Sequence, residues 1–198
     1  VEAGVTDVMI PNQVIGKRKI ARLVALSRSA NIVVAVEDSG NVTDLSDTAS
    51  GAGAELGVIV EINVGMNRCG VDGDGAVELA KQIDAAPGLR FDGLMGYEGH
   101  TVAERDYETR KINAEKSMAI LTGAADQIRA AGIDVKLVSA AGTGTYNISG
   151  NVEGVTELQC GSYIFMDGDY LEVFNDFEPA LSVLATVISR QKQDVAIV

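Results

Sequence analysis

The sequence has no tryptophan, and aromatic residues make up only 5% of its 198 positions. A platform on which successive bases stack needs more aromatic faces than that. There is no block of Lys or Arg, and the formal net charge is −12. A polyphosphate backbone attracts the opposite sign, so a nucleic-acid partner is not expected. The acidic residues are dispersed, which reads as a solvated surface. No run of about 18 apolar residues exists, so no membrane span is expected. No leader pattern is visible either, although the chain begins at Val1 rather than Met. Cysteine is scarce: Cys69 and Cys160 are far apart and form no CxxC pair. Two free thiols in a reducing cytoplasm are the expectation. The single histidine, His100, has no second His or Cys cluster beside it. A zinc site needs such partners, so no metal is assigned within this chain.

What is present is alternation. Apolar, β-branched runs at 7–12, 32–38, 56–64, 91–98, 136–142 and 156–165 predict strands. Segments 16–29, 75–86 and 104–131 carry apolar residues at helical spacing. Repeated strand-then-helix units imply parallel strands joined by crossover helices. The strands are nearly continuous in Val, Ile and Leu, as suits a sheet covered on both faces. An open doubly wound sheet and a (β/α)8 barrel remain. The dinucleotide fingerprint after the first strand is missing, and GTGTYNISG at 142–150 is only a weak echo of it. That favours an α/β barrel. Six units are visible where closure takes eight. Residues 181–190 and 194–198 also predict strands, after the turn-rich linker DYLEVFNDFEP at 169–179. The expected organisation is therefore a partial barrel over 1–168, then a linker and the first strands of a C-terminal β domain over 169–198. Two upstream units and most of the second domain are expected to be absent.

Four strand ends could carry chemistry. LVSAAGTGTYN at 137–147 ends an apolar run in small and hydroxylated residues, which lets a ligand approach backbone N–H groups. In barrels the last two strand ends often hold phosphate. A plain Gly-rich turn is the competing reading, about as frequent. EINVGMNRCGV at 61–71 places Arg68 in a Gly-bounded turn, where its fork suits an anion or phenolate. An arginine paired with surface carboxylates is the commoner case. GYEGH at 96–100 offers His100 as a base, a metal ligand or a ring against a cofactor, or simply as an exposed residue. TELQCGSYIFMDGDY at 156–170 sets Gln159 and Gly161 on one strand face, and Gly161–Ser162 forms a second backbone-plus-hydroxyl pair. Cys160, with no base beside it, reads as a packed small hydrophobe.

Together EINVGMNRCGV, GYEGH, VSAAGTGTY and ELQCGSYIFMDGDY resemble the pyridoxal-phosphate enzymes of the alanine racemase-like barrel, fold type III. Within these the chain is similar to the group of D-threonine aldolases, D-serine dehydratases and 3-hydroxyaspartate aldolases, over nearly its whole length. The resemblance implies pyridoxal 5'-phosphate as cofactor and a D-amino acid as substrate. It implies that Arg68 meets the cofactor's phenolic oxygen, and that Thr143 and Gly144, with Ser139 nearby, form a phosphate cup. Gly161 and Ser162 would be the cup's second half, and Tyr170 would close over it. Gln159 stands where alanine racemases carry an arginine against the pyridine nitrogen, and Tyr146 faces cofactor or substrate. The family's histidine near the ring corresponds to His100, or its place is taken by Glu98 or Gly99.

The implied reaction is cleavage of D-3-hydroxy amino acids to glycine and an aldehyde. A divalent metal (Mn, Mg or Zn) would assist from ligands in the absent C-terminal part. D-serine dehydratase and amino-acid racemase remain alternatives within the fold, and a non-catalytic pyridoxal-phosphate-binding barrel remains one outside enzymology. A cytoplasmic homodimer is implied. The family's cofactor-holding lysine lies upstream of this chain. Of the lysines present only Lys136 lies in a core strand, near its start, so the catalytic lysine is not assigned.

Overall fold

The computed structural model describes residues 1–198, the side chain of Asp74 excepted. Six parallel strands lie in sequence order in one sheet: β1 (Asp7–Gln13), β2 (Asn31–Val36), β3 (Leu56–Glu61), β4 (Leu89–Gly96), β5 (Leu137–Ala140) and β6 (Glu157–Leu158). Four helices make the crossovers: α1 (Lys17–Ser27), α2 (Ser39–Gly51), α3 (Gly73–Ala85) and α4 (Tyr107–Ala130). The sheet is a curled part-barrel of the alanine racemase-like kind, and β1 and β6 form its two unpaired margins.

The two faces of the sheet differ. On β2, Ile32, Val34 and Val36 join the large core under the helices, while Val33 and Ala35 face the barrel interior with Ile59, Met95, Met9 and Leu137. That split follows from the two-residue period of a strand. Helix α1 contributes Ile20, Leu23 and Val24 to the outer core; α4 contributes Ala114, Met118, Leu121, Ala125 and Ile128. The spacing of three and four residues puts each set on one helical stripe. Asp106 caps α4 by accepting the Thr109 N–H at 2.9 Å, and Glu108 and Arg129 suit its dipole at the two ends.

Sequence reading did not foresee α2. Its composition, SGNVTDLSDTASG, is rich in turn-formers. The helix forms because Asp38 caps it, accepting the Asn41 N–H at 3.0 Å, and because Val42, Leu45 and Ala49 bury fully against the sheet. Tertiary burial overrides weak propensity here.

Two expected strands are shorter than the apolar runs suggested. The run at 156–165 pairs only at Glu157 and Leu158, with Ser139 and Ala140. The chain then turns into a short 3-10 segment, Ser162–Ile164. The stretch expected as strand over 181–190 forms a strand only at its end, β7 (Ser189–Lys192), which pairs antiparallel with β8 (Val195–Ile197). Leu184 is 99% exposed. A β-branched run needs a neighbouring edge before it becomes a strand, and here only the hairpin partner supplies one. The short α5 (Tyr146–Ser149) and α6 (Gly168–Leu171) complete the elements.

The register of α4 can be tested with adjacent residues. Leu121 is fully buried and Ile120 is 44% exposed. Leu121→Ala is expected to cost about 2–5 kcal/mol through the cavity it leaves, and Ile120→Ala no more than about 0.5 kcal/mol. Urea denaturation of both variants measures the difference, and equal losses would place the helix in another register.

Candidate functional site

The site lies at the carboxyl ends of the parallel strands, where crossover loops gather. The loop after β5 is its centre. Ala141 sits at φ 66°, a left-handed conformation that an L-residue rarely takes. Gly142 and Gly144 follow in close packing. A Cβ at Gly144 would stand 1.8 Å from the Val102 carbonyl oxygen, and one at Gly142 would stand 3.0 Å from the Tyr97 hydroxyl. Only glycine fits at 144.

The fate of each backbone donor in this loop decides what it can bind. The Ala141 N–H donates to Glu98 Oε2 at 3.1 Å, the Gly142 N–H to Thr145 Oγ1 at 3.1 Å, and the Thr145 N–H to the Gly142 carbonyl at 3.1 Å. Thr143 and Gly144 are buried, yet among the described residues their N–H groups have no acceptor. The N–H groups of Gly161 and Ser162 also have none, and these residues are exposed. The two halves are joined where the Tyr163 N–H donates to Thr143 Oγ1 at 3.1 Å. Buried backbone donors are nearly always satisfied, so the unpaired N–H groups of Thr143 and Gly144 mark this loop as a candidate anion receptor. The adjoining cavity, about 310 Å³, is lined by Thr143, Tyr146, Leu158, Cys160, Tyr163 and Phe177. These residues fit a phosphate-bearing group: backbone donors at one end and an apolar, aromatic wall beside them.

The other expected residues are placed as follows. Arg68 is exposed on the loop after β3. Asn63 shapes that loop by accepting the N–H groups of Gly65 at 3.2 Å and Asn67 at 3.1 Å. The Arg68 guanidinium lies 5.9 Å from the centre of the Tyr97 ring. His100 is exposed, its ring against Gly65. Arg68, Tyr97 and His100 therefore share one side of the mouth, and Tyr97 reaches across to Gly142. Burial raises the Tyr97 phenol above its ordinary pKa, and the nearby Tyr170 and Glu98 act in the same direction. Tyr97 was not singled out from sequence.

Ser139 faces the interior and donates to Glu157 Oε1 at 2.6 Å, while Gln159 Nε2 donates to Ser139 Oγ at 3.1 Å. Its hydroxyl is thus committed to this chain of contacts and is not a spare donor of the cup. The Tyr146 hydroxyl donates to Asp176 Oδ2 at 2.8 Å, and its ring lies 5.5 Å from that of Phe177. That hydrogen bond is the main cause of the phenol's raised pKa. Tyr170 packs edge-on to Phe174 at 6.2 Å. Residues 163–177 thus lay an aromatic cover beside the cup. Burial, with Glu98 acting likewise, raises the Cys160 thiol above its ordinary pKa, which disfavours the thiolate.

Sequence reading also passed over Thr145 and Ser149, whose hydroxyls donate to Glu98 Oε1 at 2.7 and 2.6 Å. The signal was their spacing of four on one helical turn. Glu37, Glu61 and Cys69 bring possible metal-ligand atoms within 4.8 Å of one another. One oxygen of Glu37 accepts the Gly70 N–H and one of Glu61 accepts the Gln13 amide, so both carboxylates are engaged in hydrogen bonds. A cavity of about 300 Å³ at the opposite end of the sheet holds Asp7, Arg90, Asp92 and Lys136. Arg90 there is clamped by Asp92, Glu55 and Asn31, a structural network. Lys136 is thereby far from the cup.

A parallel-stranded part-barrel with unsatisfied backbone donors in the loop after β5 defines the class: an α/β barrel of the alanine racemase-like kind. Residues 10–169 match the family described as alanine racemase, N-terminal domain, and the chain belongs to that family. It is 38% identical over 206 residues to the 3-hydroxy-D-aspartate aldolase of Paracoccus denitrificans (strain Pd 1222), covering 98% of this chain and 53% of that protein. It is 39% identical over 199 residues to the D-threonine aldolase of an Arthrobacter species, covering 98% of this chain and 52% of that one. The crystal structure of D-threonine aldolase from Filomicrobium marinum superposes with a TM-score of 0.92 at 41% identity, over 96% of this chain and 53% of that one. The chain spans about half the length of the curated relatives it matches.

Two outcomes follow from the site. Gly144→Ala is expected to destabilise the protein by about 1–3 kcal/mol, because the loop must move off Val102; unchanged denaturant stability would contradict the packing. Burial is the main cause that raises the Glu61 carboxyl pKa, with Glu37 adding to it against Gln13 and Arg68. The folded state therefore holds the Glu61 proton more tightly than the unfolded state does. Stability from this group is fully present below its ordinary pKa and is lost as pH rises through the raised value. Glu61→Gln is expected to flatten that decline at pH values above the ordinary carboxyl pKa, as read by urea titrations at several pH values.

Proposed function

We propose that this chain is the cofactor-binding part of a pyridoxal-5'-phosphate-dependent lyase that cleaves D-3-hydroxy amino acids to glycine and an aldehyde. The observation that carries the reading is the set of unsatisfied N–H groups of Thr143 and Gly144 beside those of Gly161 and Ser162. The aldolase names of its relatives give the reaction class.

In this reading the cup and the Ser162 hydroxyl hold the phosphate, and Tyr170 borders it. Arg68 takes the phenolic oxygen, and Gln159 lies toward the pyridine nitrogen. When bound, the cofactor supplies an electron sink for charge developing at the substrate's Cα. The protein's own part is to fix orientation and to keep water from the reacting face with the aromatic cover of Tyr146, Tyr163, Phe174 and Phe177. A base must take the β-hydroxyl proton, and His100 at the mouth is the candidate. A lysine to hold the cofactor, and ligands for a divalent metal (Mn, Mg or Zn) that would make the β-hydroxyl more acidic, would come from outside these residues. Residues 1–168 would form the barrel portion and 169–198 the passage into a β domain, in a cytoplasmic homodimer.

D-serine dehydratase and racemase chemistry are the alternatives within the fold. A cofactor-holding barrel without catalysis is the alternative outside it. The test is an assay of the protein as its gene encodes it, with pyridoxal 5'-phosphate and each divalent metal. Glycine and acetaldehyde from D-threonine support the lyase. Pyruvate and ammonia from D-serine, or racemisation alone, would replace it. Cofactor binding with no turnover leaves the barrel protein. Arg68→Ala is expected to weaken cofactor binding about tenfold or more, since a charge-assisted hydrogen bond is lost; visible-absorbance titration reads it.

A further inference from the structure

Glu98 has no exposed surface, and no Lys or Arg pairs with it among the described residues. A buried carboxylate is costly unless hydrogen bonds replace its hydration. All of its partners come from the loop after β5: the Ala141 N–H at 3.1 Å, the Thr145 hydroxyl at 2.7 Å and the Ser149 hydroxyl at 2.6 Å. Each of these can donate, which is the pattern an ionised carboxylate accepts.

We propose that Glu98 is the positioning residue of the anion cup, setting which donors of the 141–149 loop are left for the ligand. The proposal rests on the phosphate-cup reading above. Glu98 holds the Ala141 N–H, and with it the left-handed turn at φ 66°. It draws the Thr145 and Ser149 hydroxyl protons toward itself, so neither hydroxyl offers a proton to a ligand. With its own proton so directed, Thr145 Oγ1 accepts the Gly142 N–H. Three donors of the loop are thus consumed by Glu98 and a fourth by the threonine it orients. The N–H groups of Thr143 and Gly144 remain, side by side, with Thr143 Oγ1 tied to the second half through Tyr163. Glu98 touches no ligand in this scheme. It acts through the shape of the loop.

The proposal predicts a sign that simple electrostatics opposes. Neutralising a buried negative charge near an anion site should tighten anion binding if charge alone mattered. If Glu98 positions the loop, binding weakens, because a glutamine must donate where the carboxylate accepts and so turns the Thr145 and Ser149 hydroxyls around.

The experiment compares Glu98→Gln and Glu98→Ala with the unaltered protein, each as the gene encodes it. Pyridoxal 5'-phosphate, pyridoxal and inorganic phosphate are the probes. Dissociation constants come from visible absorbance for the first two and from competition for the third; melting temperature is followed in parallel. Both variants are expected to bind pyridoxal 5'-phosphate about tenfold or more weakly, and inorganic phosphate correspondingly less, while affinity for pyridoxal stays within about twofold. Glu98→Gln is expected to keep its melting temperature, so it carries the test if Glu98→Ala fails to fold. Unchanged or tighter phosphate binding in Glu98→Gln overturns the proposal, as does an equal loss for pyridoxal, which marks a purely structural role. If the unaltered protein does not favour pyridoxal 5'-phosphate over pyridoxal, the cup reading itself falls and the proposal with it.

Discussion

The contact between the end of β4 and the loop after β5 governs this site. Glu98 lies two residues beyond β4, and its buried carboxylate accepts from three groups of the 141–149 segment. That segment would otherwise be a glycine- and threonine-rich turn with many conformations. A buried carboxyl group needs hydrogen-bond partners, and those donors need an acceptor, so each enforces the other. From this follow the left-handed Ala141, the approach of Gly144 to Val102, and the buried, unpaired N–H groups of Thr143 and Gly144.

The sheet explains why such precision stands at the strand ends. Its outer face carries a large core shared with four helices, while its inner face holds a smaller cluster of Val33, Ala35, Ile59 and Met95. The inner face also carries polar groups: Glu61 accepts from Gln13, and Ser139, Glu157 and Gln159 form a hydrogen-bonded chain. Rigid strands set the roots of the loops, and the loops carry the chemistry. No helix is long and apolar enough to cross a membrane.

Much of this could be read from sequence because it depends on local pattern. The six parallel strands show as β-branched runs, and α4 as the longest stretch of helical spacing. The small-residue loop at 141–145 announced a close backbone approach. Other parts depend on distant partners and left little trace. Helix α2 is held by burial that its Ser- and Asp-rich sequence does not advertise. The run at 181–188 looks like a strand because β-propensity cannot report whether a neighbouring edge exists. The resemblance placed Ser139 near the phosphate cup, but its hydroxyl donates to Glu157 on the inner face. Tyr97 and Glu98 are adjacent in sequence yet serve opposite directions, the mouth and the loop. Only the sheet's geometry assigns them.

The central claim is that the β5 loop is a phosphate receptor for pyridoxal 5'-phosphate. Its most direct test is a crystal structure of the protein as its gene encodes it, with the cofactor bound. The account predicts phosphate oxygens within hydrogen-bond distance of the N–H groups of Thr143 and Gly144, with those of Gly161 and Ser162 completing the cup. A phosphate bound elsewhere, with these four donors facing only solvent, would contradict it.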